Sequence, residues 1–183
     1  MHSEMARVVV VGTSCAGKTT FARRSAQLLG VPHIELDALY WLPHWVPRPP
    51  QEFHALVEQA VAQKHWVIDG NYSTVRALVW SRATTVIWLN YAFPTVLWRA
   101  LTRTVRRSLT RQELFTGNTE TLRRAFLSRE SILWWVVTTF HQRRTLYRAL
   151  FNDPAWAQLT RIEFRRALEA ERFLATLATS PLL

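Results

Sequence analysis

Cysteine occurs once in the 183 residues, as Cys15. That excludes an internal disulfide framework and fits a reducing compartment. Lysine is nearly as scarce. Lys18 and Lys64 are the only two, so 21 of the 23 basic residues are arginines. No secretory signal stands at the start, where MHSEMAR leads directly into an apolar run. The most apolar later stretch, Ile132 to Val137, is bounded by Arg129 and Arg143 and is too short to span a bilayer. Together these absences lead us to expect a cytoplasmic protein with no membrane partner.

Apolar side chains are plentiful. Hydrophobic residues make up 49% and aromatics 12%, with nine tryptophans, enough for a packed globule and one sizeable core. The net charge is +10. It is uneven: Arg99 to Arg148 holds eleven arginines against Glu113, Glu120 and Glu130. Arginine suits planar, bidentate contact with phosphate. A basic surface can also attract nucleic acid non-specifically, or be no more than a solvated helix face.

One stretch organises the rest. Gly12 to Thr20 reads GTSCAGKTT, directly after the apolar Val8–Val11 and before FARRSAQLL. Strand, then Gly-x-x-x-x-Gly-Lys-Thr, then helix is the context of a phosphate-binding loop. Backbone N–H groups of Ser14, Cys15, Ala16, Gly17, Lys18 and Thr19 can converge on a phosphate at the helix start. Gly12 and Gly17 allow backbone angles and close approach that a Cβ would block. Lys18 would bridge β- and γ-phosphates, and the Thr19 hydroxyl would bind Mg²⁺. The expected cofactors are ATP or GTP, with Mg²⁺, over Gly12, Thr13, Ser14, Cys15, Ala16, Gly17, Lys18, Thr19 and Thr20.

Along the chain, strands alternate with helices. Strands are expected at Arg7–Gly12, 32–36, 65–68, Thr85–Leu89 and 159–162, with helices near 17–29, 50–63, 73–81, 94–109, 119–150 and 163–178. Residues 37–50, rich in proline and aromatics, read as an ordered, non-helical lid or pocket wall. The expected fold class is α/β: three layers, with a five-stranded parallel sheet, helices on both faces and a helical lid at about 99–130, all in one domain around the P-loop. Ligands of such sheets bind beyond the carboxyl ends of the strands.

Those ends carry the remaining candidates. Asp69, closing WVID, either holds Mg²⁺ beside Thr19 or caps the next helix. Asp37 either binds an acceptor hydroxyl, as a base towards it, or serves a turn. Phosphoryl transfer needs charge neutralisation more than covalent chemistry. Arg76, Arg99, Arg103, Arg106 and Arg107 are candidates, the last four on one helical face beside a Gly117 turn. Of these, Arg103 and Arg107 join Lys18 and Asp37 as the expected catalytic set. Asp37, Tyr40, Trp41 and Arg76 are the expected acceptor contacts, with Trp45 in the same wall. Cys15 is either a thiol activated at a helix start or a small, tolerated side chain.

GTSCAGKTT, IELDALYW with PHW, and WVIDGNY resemble the adenylate-kinase-like P-loop proteins often called DNA topology modulation proteins. ELFTGNTETLRR and SILWWVV resemble that family as well, so the likeness runs over roughly residues 7–175. It implies a nucleotide-kinase-like fold, nucleotide binding with Mg²⁺ and phosphoryl transfer carried by Lys18, Thr19, Asp69 and the lid arginines. True adenylate kinases continue their aspartate as Gly-Phe-Pro-Arg, whereas this chain reads DGNYSTVR. The function expected is ATP-dependent transfer to a nucleotide, nucleoside or other small-molecule acceptor. The rivals are a nucleotide-binding regulator that contacts DNA through arginine-rich helices, and a slow ATPase. The oligomeric state is left open.

Overall fold

The computed structural model describes residues 7–110 and 132–179, with the backbone alone at 107–110 and 132–133. In chain order the elements are β1 (Arg7–Gly12), α1 (Lys18–Leu29), β2 (His33–Glu35), α2 (Leu36–Tyr40), β3 (Trp41–Leu42), β4 (Val46–Pro47) and α3 (Pro50–Val61). There follow β5 (Trp66–Asp69), α4 (Arg76–Arg82), β6 (Thr85–Leu89), α5 (Phe93–Thr110), α6 (Ile132–Asn152), β7 (Thr160–Phe164) and α7 (Ala167–Thr179). Five strands form a parallel sheet in the order β2-β5-β1-β6-β7, and β3 pairs with β4 as a separate antiparallel hairpin.

The sequence of β1 explains its central place. Val8, Val9, Val10 and Val11 are all fully buried. Such a run suits a parallel strand covered on both faces. Successive side chains point to opposite faces, and the core divides accordingly. Val8 and Val10 pack with Phe21 and Ala22 of α1, Val96 and Ala100 of α5, Phe140 of α6 and Leu174 of α7. Val9 and Val11 pack with Phe53 and Val57 of α3 and with Val79 and Trp80 of α4. Helix α6 serves both layers, since its Tyr147 belongs to the second. The expected three layers and five parallel strands are therefore present.

Several boundaries differ from the sequence expectation. Residues 37–50 are not free of helix: Leu36–Tyr40 form one, so Asp37 lies in its first turn rather than at a strand end. Five residues are too few to show a 3.6-residue period, which hid this helix. The helix expected over 73–81 begins at Arg76, after a turn in which Val75 N–H donates to Tyr72 O at 3.2 Å. Strand β7 continues to Phe164 because it pairs with β6 as far as Leu89. The last helix then starts at Ala167, where Glu169 Oε2 accepts from the Arg165 and Arg166 amides. Of the expected lid, Arg99–Thr110 belong to α5. Residues 111–130, including Gly117, lie outside the described residues. No helix among those described is long and apolar enough to cross a membrane.

Candidate active site

The parallel register brings three segments to one end of the sheet. Gly12 pairs with Leu89 of β6, and Val10 pairs with Asp69 of β5. Glu35 of β2 pairs with the same Asp69. The loop after β1 therefore lies between the end of β5 and the start of α5.

Glycine is required at both ends of that loop. A Cβ on Gly12, at φ 154°, would meet the Leu89 carbonyl at 2.8 Å. Gly17 caps α1 in the left-handed region at φ 93°, and a Cβ there would stand 3.0 Å from Arg99 Nη1. Cys15 is buried with φ 62°, an uncommon angle for a residue with a Cβ. Within the loop, the Thr13 carbonyl accepts from the Ala16 amide at 3.2 Å and from Lys18 Nζ at 3.1 Å. The Ala16 amide thus has a partner within the loop.

Thr19 opens the first turn of α1. Its hydroxyl hydrogen faces two carboxylates, with Asp69 Oδ2 at 2.7 Å and Glu35 Oε1 at 3.1 Å. Asp69 is 3% exposed, and its other oxygen, Oδ1, lies 2.8 Å from His33 Nε2. Burial, and then the charge of Asp69, hold the Glu35 carboxyl above the usual carboxylate range. The expected pair Thr19 and Asp69 is thus in direct contact. Glu35 and His33 are site residues the sequence reading missed. The available signal was Glu35 at the last position of β2, but only the strand order shows that β2 lies beside β5.

Three oxygen donors of this kind suit a hard cation such as Mg²⁺. Among the described residues, no group of three or more His, Cys, Asp and Glu is placed to hold a metal ion. Mg²⁺ needs no such group, since it keeps several waters and takes its remaining ligands from one or two side chains and the phosphates.

The arginines of α5 approach from the other side. Arg99 Nη1 donates to the Ala16 carbonyl at 2.6 Å, and its guanidinium lies 4.9 Å from the Tyr91 ring centroid. Arg103 Nη1 reaches Cys15 Sγ at 3.9 Å, while its buried Nε has no partner among the described residues. These two and Arg106 line a cleft of about 980 Å³ with the loop from Ser14 to Thr20, Glu35, Asp37 and Asp69. The side chain of Arg107 lies outside the described residues.

Asp37 thus shares the cleft with Lys18, although it sits in α2. Its Oδ1 accepts from the Tyr72 hydroxyl at 2.6 Å. Burial, and then the Asp37 charge, push the Tyr72 phenol up, so it remains an O–H donor. The Tyr40 ring lies 4.5 Å from the Tyr72 ring, tilted by 36°, and meets Trp41 edge-on at 4.9 Å. Tyr40, Trp41 and Arg76 are not in the cleft wall itself. Arg76 Nε donates to Asn71 Oδ1 at 3.0 Å.

No protein-family model matches the chain, and no curated protein matches its sequence. Solved structures do match in shape. A gluconokinase from Sinorhizobium meliloti 1021 is 19% identical, covers 95% of this chain and 94% of its own, and has a TM-score of 0.51. Shikimate kinase from Aquifex aeolicus vf5 is 14% identical, with 93% and 95% coverage and a TM-score of 0.52. Shikimate kinase from Acinetobacter baumannii, in complex with shikimate, is 15% identical, with 98% and 96% coverage and a TM-score of 0.52. The chain shares its α/β fold with these three kinases. At such identities the likeness extends to the fold alone, and the site is argued from this chain's own residues.

Proposed function

We propose that the protein is a P-loop kinase that transfers the γ-phosphoryl group of ATP or GTP to a hydroxyl of a small acceptor. One observation carries this reading: the Thr19 hydroxyl of the phosphate loop is held by two strand-end carboxylates in the cleft that also contains Lys18 and Asp37.

In this reading the nucleotide's phosphates lie along Gly12–Thr20, with Lys18 on the β- and γ-oxygens. Thr19, Asp69 and Glu35 would hold Mg²⁺, directly or through water, and bound Mg²⁺ would neutralise charge on the phosphates. Asp37 accepts the proton of the acceptor hydroxyl as its oxygen forms the new bond to the γ-phosphorus. The bond from that phosphorus to the bridging oxygen breaks, and the nucleoside diphosphate leaves. Arg99 and Arg103 face the loop, where they balance charge on the transferring group. Nucleotides and nucleosides are among the acceptors, and the cytoplasm is the setting the lone Cys15 fits. The likeness of the loop, DALYW and DGNY segments to the family often called DNA topology modulation proteins supports the same activity.

The test is purified protein with Mg·ATP and a panel of hydroxyl acceptors, read by mass spectrometry for phosphorylated product. Product is expected with at least one acceptor. Lys18→Ala should lower the rate by about 10²–10³-fold, as for loss of one preorganised charge contact. Phosphate release that no acceptor alters would instead identify a slow ATPase. No product, together with unchanged ATP binding by Lys18→Ala, would overturn the reading.

A further inference from the structure

The Asp69 carboxylate is held at both oxygens. Oδ2 faces the Thr19 hydroxyl at 2.7 Å, and Oδ1 lies 2.8 Å from His33 Nε2. A carboxylate offers only acceptors, so Nε2 is the donor in the second bond. Both side chains lie away from solvent, at 16% exposure for His33 and 4% for Asp69. Hydrogen bonds to a carboxylate are strong, and more so out of water.

The register of β2 explains why His33 is there. His33 pairs with Val67, and Glu35 pairs with Asp69. Residues two apart on a strand share a face of the sheet. Ile34, between them, packs on the other face with the layer of Phe53 and Val57. His33 and Glu35 therefore stand on the α1 side, where Thr19 is. The backbone that carries His33 is fixed as well. The Pro32 carbonyl accepts from the Val67 amide at 2.9 Å, and the proline ring sets its own φ.

The Thr19 hydroxyl has one proton and two carboxylates within reach. Glu35 Oε1 lies at 3.1 Å and Asp69 Oδ2 at 2.7 Å. The shorter contact lasts only while the Asp69 carboxylate keeps its rotation, and an aspartate χ2 is soft. Held at Oδ1, that carboxylate cannot turn Oδ2 away. We infer that His33 is a positioning residue for the cation site. It keeps Oδ2 on the Thr19 proton, which leaves the lone pairs of the Thr19 oxygen to Mg²⁺. His33 itself stands outside the cleft wall. The inference rests on the assignment of Thr19 and Asp69 to Mg²⁺ in the kinase reading above.

The experiment measures how much Mg²⁺ nucleotide binding requires. A non-hydrolysable ATP analogue is titrated by calorimetry into the parent, His33→Phe, His33→Gln and His33→Asn, over a Mg²⁺ series and in EDTA. Phe keeps a ring and has no donor. Gln can place an amide N–H where Nε2 stands, whereas the shorter Asn stops at the position of Nδ1. His33→Phe should raise the Mg²⁺ needed for half-maximal binding by about 10- to 100-fold and leave binding in EDTA unchanged. His33→Gln should recover most of the parent's Mg²⁺ dependence, and His33→Asn little. Melting curves report folding for each variant. A lowered melting temperature with the parent's Mg²⁺ requirement would mean a role in stability alone, and overturns the inference. If His33→Phe does not fold, equal Mg²⁺ requirements in the Gln and Asn variants overturn it. Parent binding that Mg²⁺ does not alter overturns it too. None of these readouts needs an acceptor. Transfer by the parent with no shift in the variants leaves the kinase reading and removes the inference. The expected shifts, with no product from any acceptor and unchanged ATP binding by Lys18→Ala, keep the inference and remove the kinase reading.

Discussion

Glu35 touches the Thr19 hydroxyl and faces Asp69 across the strand pair. Its carboxyl is held above the usual range by burial and then by the charge of Asp69. A carboxyl raised in this way keeps its proton more tightly in the folded chain than in the unfolded one. It therefore costs nothing below its unfolded value, and the cost grows as pH rises through the folded value. Glu35→Gln should accordingly melt with the parent near pH 4 and above it at pH 8 in the absence of Mg²⁺. The amide still offers an oxygen to Thr19, so that hydrogen bond is retained. The Mg²⁺ concentration needed for half-maximal nucleotide binding should rise in the same variant. Melting curves across pH and a Mg²⁺ titration check the two halves separately. A variant that melts below the parent at pH 8 would show that the Glu35 charge stabilises the fold.

At the scale of elements, the phosphate loop is supported from both neighbouring strands and from above. The Gly12 carbonyl, at the carboxyl end of β1, accepts from the buried Tyr147 hydroxyl of α6 at 3.3 Å. Tyr147→Phe removes that donor and leaves the ring against Trp88, 5.9 Å away. The expected loss is about 0.5–1.5 kcal/mol. For a chain of this size that lowers the melting temperature by roughly 2–4 °C per kcal/mol. The KM for ATP should rise as well, since the loop carbonyl loses its tether. An unchanged melting temperature would mean the contact contributes nothing.

The same scale separates what was legible in the sequence from what was not. Val8–Val11 and GTSCAGKTT announce themselves because strand burial and loop glycines are local requirements. Asp69 is readable as a strand-end carboxylate for the same reason. The role of Glu35 was not readable, since it depends on β2 lying beside β5, and pairing order is a property of the sheet. The sequence pattern places Asp37 at a strand end, whereas it lies in the single helical turn of α2. The arginine stripe was legible as a face of α5. That Arg99 reaches the Ala16 carbonyl and the Tyr91 ring depends on tertiary packing.

For the molecule as a whole, the net charge of +10 has its own consequence. Three stripe arginines, Arg99, Arg103 and Arg106, line the cleft. Arg143 lies over Trp135, at 5.3 Å, on the α6 helix. Duplex DNA of arbitrary sequence should bind weakly, through charge alone. If four phosphates are engaged, affinity should fall by about a hundred-fold between 50 and 200 mM salt. Fluorescence anisotropy over a salt series reads this directly. Binding that is tight and indifferent to salt would require base contacts, and would favour the regulator reading.

The bond between Tyr147 and Gly12 also sets an order of events during synthesis. The two residues are 135 positions apart. At 5–20 residues per second, the ribosome takes roughly 7–27 s to pass from one to the other. Once Thr20 has been made, the nascent chain contains every residue of the Gly12–Thr20 loop but not the hydroxyl that fastens it. Strand β7, which closes the sheet on the β6 side, is made later still. On the kinase reading proposed above, full affinity for ATP is expected only in chains that extend past residue 147. Chains that terminate before residue 147 should compete poorly for nucleotide in the cell, even though the whole binding motif has already been translated.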